Sequence, residues 1–203
     1  MAATPMTAAM VMAALEATAA KTKPNEVNPF CQGDAVVYPA HGVGRIERVE
    51  FEEIDGYRLH LIRISFEDNQ MTLRVPVAQA RAAGLRKPAS QEVLAAALAV
   101  LKDGPRVSRV IWARRSQEYQ ARINTGNPGA LAEVVRDLQV LDGGADSSFS
   151  RRNLFELALE RLAGEFAVVN RITKPDAIKL INQTLIEARA GSALDRQRAN
   201  ISP

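Results

Sequence analysis

The stretch from residue 33 to residue 44, GDAVVYPAHGVG, decides how the first part of the chain folds. The apolar run in residues 34–39 is typical of a strand, and the AHG segment that follows it predicts a turn. Residues 43–51, VGRIERVEF, then nearly alternate between apolar and charged side chains, which indicates a half-buried strand. The stretch therefore predicts a β hairpin, and we expect Gly42 and Gly44 to adopt the unusual backbone angles of its tight turn.

Further strands are predicted between residues 57 and 76. Asp55 and Gly56 mark the turn of a second hairpin. Residues 57–66 and 70–76, which follow this turn in the chain, have strand-like patterns. Within residues 57–66 the apolar side chains change phase, which indicates either a bulge or a strand covered on both faces. Four or five short strands in about 50 residues are too few for a large sandwich. A small, strongly bent sheet or barrel of the Tudor or SH3 type is therefore predicted.

Helical periodicity replaces the strand pattern after Val77. Each predicted helix carries one apolar stripe, so the helices need one another to bury it. Glycines and prolines between the segments supply stop signals, and Ser90 and Thr173 are suitable N-caps. The predicted fold class is therefore α+β, with a small N-terminal Tudor/SH3-like antiparallel β domain followed by an all-α five-helix domain. The helices are predicted at residues 90–101, 108–124 and 128–141, behind Ser150 and behind Thr173.

These changes of pattern also predict the domain boundaries. We expect a mobile extension at residues 1–27, the β domain at 28–86, the helical domain at 87–190 and a fraying tail at 191–203. The extension contains no arginine, and its two lysines follow its apolar run, which argues against a mitochondrial or secretory leader. That run is also too short and too rich in alanine to span a bilayer, so no membrane contact is expected.

The cysteine and histidine content argues against most enzyme classes. The single cysteine, Cys31, permits no internal disulfide and no thiol-rich zinc site, and it fits a reducing compartment such as the cytoplasm. The only histidines, His41 and His60, leave few ways to build a catalytic metal site or a paired nucleophile. We therefore expect no cofactor and no catalytic turnover. An enzymatic function would need an uncovered cleft with strongly shifted ionisable groups.

Positive charge is concentrated in the C-terminal part of the chain. The 203 residues carry 26 basic and 23 acidic side chains, of which 17 basic and 13 acidic ones lie after residue 86. Five arginines there lie near the only tryptophan, Trp112, and oppose a single acid, Glu118. Such a cluster can contact phosphates, although charge alone favours a solvated helix face and a lone tryptophan is more often part of a core. The arginines are Arg106, Arg109, Arg114, Arg115 and Arg122.

Five motifs in the sequence occur together in one known family. They are residues 33–44, MTLRVP at 71–76, GLR at 84–86, WARR at 112–115 and AEVVRDL at 132–138. The first three resemble the RNA-polymerase-interacting domain that CarD, CdnL and transcription-repair coupling factors share. The last two resemble the helical domain of CarD/CdnL specifically. No G-x-x-x-x-G-K-[ST] phosphate loop is present, so the motor part of a coupling factor is excluded.

The resemblance implies that the β domain docks on the β subunit of RNA polymerase, where an edge strand of family members meets the protrusion lobe. Arg74, within the matching TLRVP motif, is implied as a polymerase contact, because an arginine fork can pair bidentately with a carboxylate. Without the family match, the sequence indicates only that Arg74 is an arginine exposed on a strand. Arg45 and Arg48 are weaker candidates, because the neighbouring glutamates can neutralise them.

The resemblance also implies that the helical domain contacts promoter DNA at the upstream edge of the melted region. In the family the tryptophan that matches Trp112 wedges into the minor groove at the fork. Arg114 and Arg115 match basic residues that contact the DNA backbone, whereas Arg106 and Arg109 are inferred from proximity in sequence alone. The DNA contact is expected to be independent of base sequence, because nothing resembles a recognition helix.

We therefore expect a transcription initiation regulator that stabilises the promoter open complex and acts as a monomer on the polymerase. Gln117 stands where relatives commonly carry a lysine, so the resemblance implies one DNA backbone contact fewer than in those relatives. The alternative is a polymerase-binding adaptor whose helical domain docks another protein rather than DNA. Salt-dependent DNA binding that is lost on substitution of Arg114 and Arg115 separates the two functions.

Overall fold

The computed structural model of the protein describes residues 29–54, 57–106, 111–139 and 149–199. In these residues a four-stranded antiparallel sheet precedes one helical turn and five helices, which confirms the predicted α+β class. We call residues 29–86 the β module and residues 87–199 the helical module. The strands are β1 (Ala35–Tyr38), β2 (Gly42–Ile54), β3 (Tyr57–Phe66) and β4 (Met71–Pro76). The helices are α1 (Val77–Ala80), α2 (Gln91–Lys102), α3 (Trp112–Asn124), α4 (Pro128–Leu138), α5 (Phe149–Asn170) and α6 (Lys174–Ala199).

The sheet is a meander in which each strand pairs with the next along the chain, so β1 and β4 lie at its edges. Arg86 extends the β1 edge, because its backbone exchanges hydrogen bonds of 2.8 and 3.1 Å with Val37. One face of the sheet buries an apolar core, and burial of this kind is the main driving force for folding. The core residues are Phe30, Val36, Ile46, Ile62, Ile64, Phe66, Val75, Ala80 and Leu85.

A β-bulge bends the sheet at Glu47. Ile46 pairs with Ile64 and Arg48 pairs with Arg63, so β2 has one residue more than β3 at this point. The bulge suggested by the phase change in β3 therefore lies in its partner strand. Leu61 and Ile62, which point to opposite faces, are both buried, so β3 is covered on both faces there. A bulge increases the local twist and bends its strand, as a small curled sheet requires.

The two glycines that end the GDAVVYPAHGVG stretch have different roles. Gly42 has a φ of +85°, so its predicted turn conformation is confirmed. For Gly44 the prediction is wrong, because Gly44 lies inside β2 without a positive φ. A Cβ atom at Gly44 would lie 2.7 Å from Ile64 Cγ2 and 2.8 Å from Phe66 Cε1. Glycine is required at this position by close packing rather than by backbone conformation.

Side-chain caps set the beginnings of three helices. The Ser90 hydroxyl accepts a hydrogen bond from the Val93 N–H, and the Asn127 side chain caps α4 ahead of Pro128. The Thr173 hydroxyl accepts from the Asp176 N–H and donates to the Asp176 carboxylate, and this second bond lowers the pKa of Asp176. The caps predicted at Ser90 and Thr173 are confirmed. The largest apolar side chains of the helical module that are completely buried are Leu94, Leu101, Ile123, Leu131, Leu138, Leu162 and Ile181.

The predicted helix boundaries differ from the structure at three places besides the end of the chain. Helix α3 begins at Trp112 rather than near residue 108, α4 ends at Leu138 rather than at 141, and α5 begins at Phe149, ahead of Ser150. Helix α6 continues through Gly191 to Ala199, so most of the segment that was predicted to fray is helical. The Ala, Leu, Arg and Gln residues in this segment have high intrinsic helix propensity, which offsets the small number of apolar side chains. Residues 1–28, 55–56, 107–110, 140–148 and 200–203 lie outside the described residues. These include the predicted extension, the predicted hairpin turn at Asp55 and Gly56 and parts of two predicted helices. In the described part of the chain, no helix is long and apolar enough to cross a membrane.

Candidate functional site

Trp112 begins α3 at the edge of the helical core. The indole is half-buried and packs against the apolar core, and its ring lies 6.5 Å from the Tyr119 ring in a tilted arrangement. The preceding residue, Ile111, is exposed and provides no side-chain cap to the helix. The indole is therefore held by packing, and a minor part of its surface remains open to solvent.

Two adjacent arginines of α3 take different positions around this ring. The Arg115 guanidinium lies 5.6 Å from the centre of the Trp112 ring and 5.9 Å from that of Tyr119, which is cation–π geometry for both rings. The Arg114 side chain is 75% exposed and forms an ion pair of 3.4 Å with Glu118 one turn along the helix. Arg115 therefore supports the indole, and Arg114 extends into solvent.

The remaining arginines of the predicted cluster are less closely gathered. Arg106 is exposed, and its backbone N–H donates to the Asp137 carboxylate at 3.0 Å, which ties its segment to α4. Arg122 forms an ion pair of 3.1 Å with Glu133. Arg109 lies outside the described residues. The structure thus brings Trp112, Arg114 and Arg115 together on one helix, and it pairs Arg122 with an acid on α4.

The motif AEVVRDL contributes a buried ion pair that the sequence did not reveal as such. The Arg136 side chain is almost completely buried, and its Nε donates to Asp137 Oδ1 at 2.9 Å. The same oxygen accepts the hydrogen bond from the Arg106 backbone. Because Asp137 holds both groups, the pair anchors the start of the segment that leads to Trp112. The charges of Arg136 and Asp137 therefore serve the fold rather than the surface.

On the outer face of the β module, three arginines lie in a row across the sheet. The strand register pairs Arg48 with Arg63 and Arg63 with Arg74, and we call these three residues the arginine row. Glu52 contacts both Arg63 at 3.1 Å and Arg74 at 3.2 Å, and Glu50 contacts Arg63 at 3.3 Å. Like charges on facing strands repel, so the two glutamates stabilise the row.

The register corrects the expected pairing of the β-module arginines. Glu50 and Glu52 of β2 bind Arg63 and Arg74, whereas the sequence indicated that the glutamates of this segment can neutralise Arg45 and Arg48. Arg45 donates to the Gly33 carbonyl at 3.1 Å and lines a cleft against the helical module. Arg48 is exposed, and no ion pair joins it to another residue in the described ranges. Arg63 was missed because only the strand register places it between the other two.

A cleft of about 220 Å³ separates parts of the two modules. Its charged lining residues are Arg45, Glu67, Asp68 and Lys174, and Lys174 closes one side through an ion pair of 2.7 Å with Asp68. Among residues 29–54, 57–106, 111–139 and 149–199, no group of three or more His, Cys, Asp or Glu side chains is placed to hold a metal ion. The described residues do present two charged or aromatic surfaces, namely the arginine row and the indole of Trp112 beside its arginines.

These surfaces define a two-module binding protein, with a charged sheet face on one module and an indole beside arginines on the other. Residues 30–89 match the family described as "CarD-like/TRCF RID domain", and residues 96–182 match the one described as "CarD, C-terminal domain". The chain therefore belongs to the CarD/CdnL family, as its motifs predicted. This is a family of transcription regulators that interact with RNA polymerase, and it is not a known class of enzyme.

Two known proteins illustrate the relationship. The chain is similar to a Bacillus subtilis (strain 168) protein named "Putative transcription factor YdeB", with 29% identity over 147 residues, which is 71% of this chain and 95% of that protein. It is also similar to the solution NMR structure of the 72-residue N-terminal domain of Myxococcus xanthus CarD. That match has 30% sequence identity, covers 31% of this chain and 84% of the other, and has a TM-score of 0.26.

Proposed function

We propose that this protein binds the β subunit of RNA polymerase through the β module and stabilises the promoter open complex through the helical module. The observation that carries the proposal is the partly exposed indole of Trp112, which is supported from within by Tyr119 and Arg115. In this function the β module provides attachment and the indole acts on the DNA. The protein has no catalytic turnover.

An indole held in this way is suited to stack on a base at the edge of a melted region. Stacking of an aromatic side chain on a base contributes about 1–3 kcal/mol, whereas separating a stacked step costs a few kcal/mol. Trp112 therefore acts where the polymerase has already separated the bases. Because Tyr119 and Arg115 already order the ring, little conformational entropy is lost on binding. A gain of about 1–3 kcal/mol corresponds to roughly 5- to 150-fold in the lifetime of the bubble.

Arginines beside the indole contact the DNA backbone in this function. Arg114 is the strongest candidate, because it is 75% exposed and its partner Glu118 is also accessible, so a phosphate can replace the carboxylate. Arg115 contributes through the same surface while it supports the indole. Arg106 and Arg109 complete the proposed contact on the segment that leads into α3. Such contacts position the protein without reading the base sequence.

On the β module, the arginine row and the neighbouring edge strand β4 form the proposed polymerase-binding face. The Arg74 side chain lies on β4, is 55% exposed and uses only part of its guanidinium to bind Glu52. Its remaining donors can bind a carboxylate of the β subunit. Arg48 lies on the same face, whereas the hydrogen bond of Arg45 to Gly33 makes it a secondary contact.

The DNA-contacting role is tested by the lifetime of open complexes formed with purified polymerase after a competitor is added. We expect Trp112→Ala to reduce the lifetime to that observed without the protein, because the stacking surface is removed, and Trp112→Phe to retain part of the effect. Phe149→Ala is the matched control, since it removes an exposed aromatic side chain from the same module. An unchanged lifetime for Trp112→Ala, with polymerase binding intact, would contradict the proposal.

Polymerase attachment is tested by binding of the full chain to the isolated β-subunit lobe. Arg74→Ala should weaken binding roughly tenfold, as expected for loss of a charge-assisted contact of about 1.5 kcal/mol. Arg58→Ala serves as the control, because Arg58 is another exposed arginine of the β module but lies over the Phe51 ring and outside the row. Equal binding by the wild type and Arg74→Ala would refute the assigned face.

The adaptor function predicts a different result in a DNA-binding experiment. If the helical module docks another protein, Arg114→Gln leaves the salt-dependent affinity of the polymerase complex for promoter DNA unchanged. If it contacts DNA, the affinity falls and the salt dependence weakens. We further propose that the protein acts as a monomer on the polymerase in the cytoplasm, which is consistent with its single cysteine.

A further inference from the structure

The two modules meet at a joint in which the central carboxylate is buried. Glu165, on α5, is only 1% exposed. Its carboxylate accepts hydrogen bonds of 2.6 and 2.9 Å from the two terminal nitrogens of Arg86 and one of 2.7 Å from the Ala89 N–H. Arg86 also donates to the Gly126 carbonyl at 2.5 Å. One bidentate pair thus links the end of the β module to α5 and to the turn after α3.

A second arginine of α5 secures the other side of this joint. Arg161 donates to the carbonyl oxygens of Pro39 at 2.7 Å, Ala40 at 2.6 Å and Ile123 at 3.2 Å. Burial lowers the pKa of Arg161, although an arginine remains charged at neutral pH. Since these three acceptors belong to the β1–β2 turn and the last turn of α3, one guanidinium holds both segments. If water replaced the hydrogen bonds to one of these segments, Arg161 would hold only the other segment against α5.

Glycines allow the backbones to approach closely at the joint. Gly84 and Gly126, both with positive φ, lie on either side of Pro39. A Cβ atom at Gly84 would lie 2.8 Å from Pro39 Cγ, and one at Gly126 would lie 3.2 Å from Pro39 Cα. Gly84 belongs to the β module itself, so only the contact of Gly126 with Pro39 crosses between the modules. That contact leaves little space for a methyl group at Gly126 and restricts movement of the helical module against the turn.

We propose that this joint, with Glu165 at its centre, positions Trp112 relative to the polymerase-binding face. This proposal rests on the proposed function. Helix α3 is the connecting element, because its C-terminal end is tied to the joint through Ile123 and Gly126 and its N-terminal end carries the indole. The helix spans about 17 Å between Ile123 and Trp112, so a rotation of about 10° at the joint would move the indole by about 3 Å. Productive contacts are sensitive to displacements of about 1 Å. Glu165, Arg86 and Arg161 are thus positioning residues.

The experiment uses the full chain with Glu165→Gln, which removes the charge while keeping the side-chain shape, and Arg86→Lys, which keeps the charge while removing the fork. Lys174→Gln is the matched control, since it breaks the more exposed cross-module ion pair with Asp68. Nitroxide labels on the native Cys31 and on a cysteine introduced by Lys179→Cys report the distance distribution between the modules. Open-complex lifetime and polymerase affinity are measured on the unlabelled proteins.

We expect Glu165→Gln and Arg86→Lys to broaden the distance distribution and to shorten the open-complex lifetime roughly tenfold, with polymerase affinity unchanged. Lys174→Gln should leave all three quantities unchanged. A broadened distribution with a normal lifetime would overturn the proposal, as would a normal distribution with a shortened lifetime. If Glu165→Gln reduces the folded fraction at the assay temperature, Arg86→Lys and Arg161→Lys carry the test, because both retain the buried charge.

Combination with Trp112→Ala separates this proposal from the proposed function. If Glu165 acts by positioning the indole, Glu165→Gln should shorten the lifetime no further once the indole is absent. If the lifetime of the double variant falls by the product of the two separate fold-changes, Glu165 acts by another route. That result would overturn the positioning role and leave the proposed function standing. A normal lifetime for Trp112→Ala by itself would instead refute the proposed function and with it the positioning role.

Discussion

The joint between the modules and the first turns of α3 both depend on arginine, but they use it in opposite ways. At the joint, Arg86 and Arg161 direct their donors to a buried carboxylate and to backbone carbonyls. On α3, Arg114 is 75% exposed and has a single accessible partner. The position of the acceptors around an arginine, rather than the number of arginines in a segment, therefore decides whether the charge serves the fold or a partner.

This difference has a large energetic consequence. Removing one member of a buried ion pair leaves the other charge poorly solvated and costs about 3–5 kcal/mol. Removing one member of an exposed helical pair costs about 0.3–0.5 kcal/mol. Substitutions at the joint should therefore affect stability first, whereas substitutions beside Trp112 should affect partner binding with little change in stability.

The largest expected effect follows from Glu165→Ala. This change leaves Arg86 without its carboxylate, so the free energy of unfolding should fall by about 3 kcal/mol, measured by urea denaturation. Glu156→Ala, which changes an exposed glutamate on the same helix, should alter it by less than about 0.5 kcal/mol. Equal stability of the two variants would mean that the joint is held by shape alone.

A smaller loss is expected from Gly126→Ala, which tests the close contact with Pro39 without changing a charge. Gly126 has a φ of +64°, and an added Cβ would lie 3.2 Å from Pro39 Cα. The free energy of unfolding should fall by about 1–2 kcal/mol, by the same denaturation measurement. Gly104→Ala, at a site with no neighbour within 4 Å and no positive φ, should cause no loss. A Gly126→Ala variant as stable as the Gly104→Ala control would argue against a close fit.

The smallest change in stability is expected from Arg114→Gln. Because the pair with Glu118 is exposed, the free energy of unfolding should change by less than about 0.5 kcal/mol. The slope of log affinity against log salt for promoter DNA, measured on the polymerase complex, should decrease by about one, as expected for one lost phosphate contact. A stable variant with an unchanged slope would remove Arg114 from the DNA-contacting surface.

Sequence patterns predicted the strands, helix caps and turns well where residues close together in the sequence determine them. The strand in residues 43–51, the Ser90 and Thr173 caps and the glycine stop signal after α3 all depend on contacts within a few residues, and the structure confirms each. The alternation within that strand is interrupted by the bulge at Glu47, and Phe51 is exposed. The motif at 33–44 also predicted the family correctly. What it did not reveal is that its Pro39-Ala40 segment contacts the helical module, because the partner residues lie more than 80 positions away.

Helix α5 shows why the joint could not be predicted. Its apolar residues predicted one buried stripe, yet Arg161, Gly164 and Glu165 form a second covered face at helical spacing against the β module. In a sequence, a glycine and two charged residues on one face of a helix indicate a face exposed to solvent. Only the residues that they contact in the folded protein show that the face is covered. Arg63 was missed for a similar reason, since its position between Arg48 and Arg74 depends on strand register.

The sequence by itself determined the α+β class, the order of strands and helices, the family and the presence of one tryptophan among arginines, because composition, periodicity and motifs are local properties of the chain. Only the tertiary structure decided which arginines are buried, which are paired and which remain available to a partner. The physical reason is that the free energy of a charged side chain depends on the acceptors and the solvent around it, and distant segments supply both.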